Sequence, residues 1–306
     1  MGTSYSVKIN QANIELSRVD IEKQINIILD DINARMSTYQ ADSELSKLNR
    51  AAAGEWITVS SDLFEVLSAS QRMTHITDGY FDVTVGPLVN LWGFGPEKDA
   101  LTLPNENLLN HVLDQTGMNN VQLRETPMSI MKGNATIYID LSGIAKGHAV
   151  DKIASHLKSL NIGNYLVEIG GEIIAEGKNT SGEYWRIGIE QPGRNIRRVQ
   201  RSIQLKDIAM ATSGDYRNFR MIDGKYYSHS IDPKSGWPVE HQLASVTVLH
   251  PRAADADALA TGMLVMGKAK AQILAREKQL PVLFIERDGE GYIESSTPQM
   301  KPYLLR

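Results

Sequence analysis

The chain has 306 residues, a net charge of −4, 42% hydrophobic and 22% charged residues, and no cysteine. That length holds about two domains, or one large one with a substantial core. The missing long basic run argues against nucleic acid as principal partner, the missing thiols exclude disulfides and cysteine-bound metals, and no apolar run reaches the ~18 residues of a membrane-spanning helix.

The alternation in "SYSVKI" predicts a strand over 4–9, which disfavours reading "MGTSYS" as an N-myristoylation signal. Residues 1–10 also lack the basic flank and apolar centre of a signal peptide. Ile21, Ile25, Ile28 and Ile32 fall at helical spacing and predict a helix over 16–35. The polar "MSTYQADSELSKLN" reads as a loop. Ser60 or Ser61 caps a second helix through Phe64, Val66, Leu67 and Met73, ending at the Asp78-Gly79 turn. "YFDVTVGPLVNLWGFGPE" is strand-like up to Gly86 and loop-like beyond, and the polar stretch 97–135 holds one short helix over 106–116. "TIYID" predicts a strand, "LSGIAKGH" a turn, and 149–160 a helix closed by Gly163. "YLVEI" is a buried-type strand broken by Gly170-Gly171, a pair that suits close ligand approach or a β-bulge. "WRIGIE", "RSIQL", "DIAMATSGDYRNF", "KYYSHSIDPKSGWPV", "LASVTVLH" and "LPVLFIER" supply further strands, with a helix bearing Asp257 between the last two. Strands come in groups with helices interspersed and no sustained βαβ rhythm, so the fold class is α+β with largely antiparallel sheets.

Three segments carry candidate chemistry. In "DLSGIAKGH" a glycine turn leads into a helix N-terminus with Lys146 close by, an arrangement that suits a phosphate or an ordinary tight turn; it lacks the Walker A and G-x-G-x-x-G patterns. In "RAADADALATGMLVMG" Asp257 and Thr261 stand four apart and share a helix face, while Asp255 points elsewhere and reads as a helix cap. Their oxygens suit Mg²⁺ holding a substrate's phosphates. In "YYSHSIDPKSGWPV" the strand period puts Tyr227, His229 and Ile231 on one face, making His229 a general-base candidate or a structural histidine. No G-x-S-x-G or H-E-x-x-H occurs, which removes the common serine-hydrolase and zinc-protease readings. The surviving combination points to a phosphorylated, flat-ringed ligand.

Eight stretches in order resemble the ApbE family of FAD:protein FMN transferases: "MGTSYSV", "MSTYQADSELSKLN", "DGYFDVTVGPLVNLWGFGP", "IDLSGIAKGHAVD", "VEIGGEI", "ATSGDYRNF", "YYSHSIDPKSGWPV" and "DADALATGMLVMG", spanning Met1 to Gly267. The resemblance implies a T-fold-like arrangement over 1–306, as one transferase domain or two intimately packed subdomains. It implies a Mg²⁺-dependent enzyme that splits the pyrophosphate of FAD. The FMN half then passes as a phosphoester to a threonine of a partner flavoprotein, a subunit of a membrane redox complex, and AMP is released. By position, Met1, Tyr39, Tyr80, Phe81, Asp82, Asp140, Lys146, Gly170, Gly171, Glu172 and Ile231 would line the FAD site, with Ser213 and Gly214 beside them. Asp257 and Thr261, with the carbonyls of Gly143 and Ala260, would hold the metal, and His229 would deprotonate the acceptor hydroxyl. His148 stands where many relatives carry tyrosine, and no lipoprotein signal precedes Met1. Because "MGT" matches an internal point of the family pattern, the expectation is a chain trimmed of its leader, lipid-anchored in full-length form at the periplasmic face of the bacterial inner membrane. Two rivals remain open: an FAD pyrophosphatase using water in place of threonine, and a non-catalytic FAD-binding protein. A flavin-dependent oxidoreductase would need a dinucleotide motif that the sequence lacks.

Overall fold

The computed structural model describes residues 2–11, 16–95, 103–193, 198–216 and 218–305. Strand β1 (Tyr5–Ile9) is followed by helices α1 (Arg18–Met36) and α2 (Glu44–Arg50), strand β2 (Ile57–Thr58), and helices α3 (Ser61–Ile76), α4 (Gly86–Leu91) and α5 (Glu106–Leu113). Next come β3 (Val121–Glu125), β4 (Met128–Lys132), α6 (Ala145–Ser159), β5 (Tyr165–Ile169), β6 (Glu172–Glu176), β7 (Trp185–Glu190), β8 (Val199–Leu205) and β9 (Ile208–Gly214). The chain closes with β10 (Phe219–Ile222), β11 (Lys225–Ser228), β12 (Leu243–His250), α7 (Ala253–Met266), α8 (Lys268–Glu277), β13 (Val282–Asp288) and β14 (Gly291–Ser296). No described helix is long and apolar enough to cross a membrane.

Seven strands form one sheet in the order β1-β5-β6-β9-β12-β13-β14, and every neighbouring pair is antiparallel. The class is therefore α+β. Helices α1, α3, α6 and α7 bury their apolar residues on one face of this sheet, with Ile25, Leu67, Ile153, Met263 and Val248 in a common cluster. The ribbon β7–β8 covers the other face, where Trp185 and Ile203 pack against Met210, Leu249 and Ile285. A third cluster, built on Trp92, Tyr227 and Ile231, supports the segment that carries His229. Helix α7 lies between the sheet and α6, so it is apolar nearly all round, and its alanines allow close backbone approach.

Local chemistry explains most element starts. Ser17, Ser43 and Ser60 each accept the N–H of the residue three further on and cap α1, α2 and α3. The capped α2 corrects the loop expected over "SELSKLN": it is short and polar, yet buries Leu45, Leu48 and Asn49. The stretch 97–135 also holds two strands besides its helix, since β4 pairs with both β2 and β3 in a small sheet. "TIYID" is no ladder strand. Asn49 receives the N–H of Ile139 and donates to its carbonyl, Lys132 Nζ donates to the Ile137 carbonyl, and Asp140 N–H binds Val83, so side chains replace a neighbouring strand. The expected strand in "YFDVTV" reduces to one parallel bridge, Val85 to Tyr138. Helix α6 begins at Ala145, before the expected 149. Gly170-Gly171 form neither strand end nor bulge: with φ of 59° and 103° they make the two-residue turn of the β5–β6 hairpin.

Candidate active site

A cleft of about 1000 Å³ opens where the N-terminal turn of α6 and the body of α7, from Asp257 on, meet the β5–β6 turn and the end of β9. Tyr39, Tyr80, Phe81, Asp82, Asp140, Gly143, Lys146, Gly170, Gly171, Glu172, Ser213, Gly214, His229, Ile231, Asp257 and Thr261 all border it. Ala260 is wholly buried within α7 and is not part of the cleft wall. Met1 lies outside the described residues.

The loop before α6 is shaped by Asp140, whose carboxylate accepts the N–H of Ser142 at 2.8 Å. Ile144, the residue preceding α6, offers that helix no side-chain cap. Asp257, reaching across from α7, supplies one instead: its Oδ2 accepts the N–H of Gly147 at 3.1 Å. Its Oδ1 lies 3.8 Å from Lys146 Nζ, which also pairs with Glu172 Oε1 at 3.0 Å. Two buried carboxylates thus share one ammonium. Burial raises the pKa of Asp257, and burial together with the Asp257 charge pushes Glu172 up to about 8. Burial works against the Lys146 charge, but Asp257 and Glu172 outweigh it and hold that group above the usual lysine range.

One turn along α7, the Thr261 hydroxyl lies 3.1 Å from that of Ser213. Gly143 faces the same hydroxyl closely enough that a Cβ there would sit 3.3 Å from it. Contrary to the expectation from its position, Asp255 does not cap α7. Asp151 of α6 accepts the N–H groups of Ala253 and Ala254 at 2.7 and 3.0 Å, whereas Asp255 turns towards His250 and Arg72.

His229 follows the end of β11, so the strand alternation stops at Ser228 and both His229 and Ser230 border the cleft. Its Nδ1 lies 3.0 Å from the carbonyl of Asn218, which can only accept, so Nδ1 carries the proton and Nε2 keeps a lone pair. Burial lowers its pKa, opposed by the Asn218 bond and the Asp215 charge. Asp82 is a buried staple, accepting from the N–H and hydroxyl of Thr84 and from Met118 N–H, with its pKa raised by burial. The Tyr80 ring is held between Lys234 and Lys270, 4.3 and 4.7 Å from its centroid. Tyr39 is exposed at the rim.

Phe94, Tyr216, Asn218 and Arg220 also border the cleft and were not foreseen from the sequence. Phe94 stands between the glycines of "WGFG" and faces His229 edge-on at 6.3 Å, a position its flanking glycines signalled. The role of Asn218 rests on its backbone carbonyl and leaves no trace in residue type.

A separate trio, Asp62, Glu65 and His148, brings possible metal ligands together. Lys152 already pairs with both carboxylates at 2.6 and 3.1 Å, and Arg35 and Arg252 add two more cations. A divalent cation would enter a cluster whose acids are already neutralised, so this is a salt-bridge network.

The ApbE family model matches residues 1–284. The FAD:protein FMN transferase of Vibrio cholerae is 44% identical over 307 residues, covering 100% of this chain and 91% of that protein. The corresponding Haemophilus influenzae protein is 42% identical over 306 residues, covering 98% and 88%. Among solved structures, the flavin transferase ApbE of Vibrio cholerae superposes with a TM-score of 0.91 at 42% identity over 99% of this chain and 96% of that one. The Pseudomonas stutzeri flavinyl transferase ApbE, in its apo form, gives 0.89 at 34% identity, with 97% and 92% coverage.

Proposed function

The chain belongs to the ApbE family, and from that premise we propose that it performs the reaction for which its relatives are named, moving the FMN part of FAD onto a partner protein. FAD is its substrate and the chain is a transferase. The acceptor atom is a threonine hydroxyl on a flavoprotein subunit of a membrane redox complex, AMP is the leaving group, and Mg²⁺ is the required cation. The reading carries with it a periplasmic site of action, which cell fractionation would test.

The observation that carries the chemistry is the His229 tautomer. With Nδ1–H committed to Asn218, Nε2 accepts the threonine proton as the hydroxyl oxygen attacks the FMN phosphorus. The bond from that phosphorus to the AMP oxygen breaks, and the electron pair leaves with AMP. Lys146 and the N-terminal turn of α6 place positive potential at the cleft floor, where a pyrophosphate is held in line.

The donor set fits Mg²⁺. At the cleft wall it consists of oxygens alone: the Asp257 carboxylate and Thr261 hydroxyl, with the Gly143 carbonyl as a further donor, while Ala260 lies behind the wall. Glu172 Oε2 beside them is buried without a hydrogen-bond partner among the described residues, as an oxygen awaiting a cation would be. When bound, Mg²⁺ supplies charge neutralisation on the pyrophosphate and on the departing AMP.

The test is to incubate the protein with FAD, Mg²⁺ and an acceptor domain bearing the target threonine, following acceptor mass and nucleotides together. One esterified FMN per acceptor with equimolar AMP is expected. Free FMN and AMP beside an unchanged acceptor would make water the nucleophile, and intact FAD would overturn the enzymatic reading.

A further inference from the structure

Helices α6 and α7 cap each other. Neither α6 nor α7 has a side-chain cap from its own preceding residue, Ile144 or Arg252. Asp257 of α7 accepts from Gly147 in the first turn of α6, and Asp151 of α6 accepts from Ala253 and Ala254 in the first turn of α7. The two bonds sets lie at opposite ends of one contact. Between them the helices touch backbone to backbone, because a Cβ on Gly147 would sit 2.3 Å from the Ala253 carbonyl oxygen and 2.7 Å from the Ala254 Cα.

This reciprocity ties the depth of α7 to the cleft floor. Thr261 faces Gly143 and Ser213, and Asp257 faces Lys146, only while α7 keeps its longitudinal position against α6. The Gly147 bond cannot fix that position alone, since it uses the very carboxylate whose placement is in question. Asp151 acts on α7 from outside the cleft: it is not among the lining residues, yet it grips the two N–H groups from which α7 starts, one turn before Asp257. Side chains that orient metal ligands without touching the metal commonly matter as much as a ligand does.

We propose that Asp151 is a positioning residue for the reaction, which by capping α7 from α6 holds Asp257 and Thr261 in the geometry that grips the divalent cation. The proposal rests on the assignment of the cation to those two residues. It also extends to Gly147, whose missing side chain permits the contact across which Asp151 works.

The experiment measures Mn²⁺ binding to the purified chain by electron paramagnetic resonance, without FAD, alongside thermal midpoints. The proteins are wild type, Asp151→Ala, Asp151→Asn, and Ser17→Ala, the last removing the cap of α1. Asp151→Ala is expected to weaken Mn²⁺ binding by roughly tenfold or more. Asp151→Asn, which keeps one acceptor oxygen, should fall between it and wild type. Ser17→Ala should lower the midpoint and leave Mn²⁺ affinity unchanged. If Asp151→Ala fails to fold, Asp151→Asn carries the comparison. Wild-type Mn²⁺ affinity in a folded Asp151 variant, or an equal loss of affinity in Ser17→Ala, would overturn the positioning role and leave the metal assignment standing. Failure of wild type itself to bind Mn²⁺ would overturn both.

Discussion

The carbonyl oxygen of Asn218 accepts twice from His229, from the backbone N–H at 3.1 Å and from ring Nδ1 at 3.0 Å. One oxygen thereby fixes both where the residue sits and which tautomer it adopts. Burial lowers the imidazole pKa below the ordinary 6.5, so the ring is mainly neutral at pH 7, as the proposed base must be. The acid limb that His229 imposes on FMN transfer should therefore have its midpoint below pH 6.5. His229→Ala should lower transfer by roughly 10²–10⁴-fold while FAD binding, followed by flavin fluorescence, persists. An acid limb centred above 6.5, or unaltered transfer in the variant, would assign the base elsewhere.

Asp257 has two duties, as the candidate cation ligand and as the acceptor for Gly147. Asp257→Asn keeps an oxygen for Gly147 but lacks the charge, so it should stay folded and lose its divalent-ion dependence. Asp257→Ala leaves the Gly147 N–H unpaired and should also lower stability, by about 1–3 kcal/mol. Mg²⁺ titration of AMP release checks the first, and urea unfolding the second; wild-type Mg²⁺ response in Asp257→Asn would refute the ligand assignment.

Gly147→Ala tests the helix contact directly. The new methyl meets the Ala253 carbonyl, which is backbone and cannot swing away. Separation of the helices should cost about 1–3 kcal/mol and reduce transfer along with it. An unchanged melting midpoint would show that the helices accommodate the methyl.

His148 is buried beneath the salt-bridge network with its Nε2 unpartnered among the described residues, and burial lowers its pKa to about 4. A histidine depressed in the folded state stabilises the fold fully above 6.5, and that contribution is lost as pH falls towards 4. At most about 3 kcal/mol is at stake. His148→Tyr should flatten the acid side of a stability-versus-pH curve between pH 6.5 and 4. A curve parallel to wild type would exclude His148 as the titrating group.

The sequence made the regular parts of the fold readable wherever one period dominated. Tyr165–Ile169 and Leu243–His250 read as strands because their residues are buried on the sheet, and α1 and α3 read as helices from their apolar spacing, α3 from its serine cap as well. Segments whose backbone bonds go to side chains were misread. Ile139 looks like a strand residue, but its partner is Asn49, ninety positions away. The cleft residues were legible through a family resemblance, because each of those motifs is brief and ambiguous alone. Asp151 escaped notice for a related reason: as an acid inside a helix it looks solvent-facing until α7 is laid against it.

Strand β1 stands at one edge of the seven-stranded sheet and pairs with β5 alone, Tyr5 opposite Ile169 and Ile9 opposite Tyr165. A growing polypeptide therefore carries its first strand without a mate until residues 165–169 have been made. The same segment holds one rim of the cleft, since the carbonyl of Ser4 binds the N–H of Gly170. Translation order thus delays assembly of the flavin pocket until well past mid-chain, and nascent chains ending before Tyr165 should emerge from the ribosome unable to retain FAD.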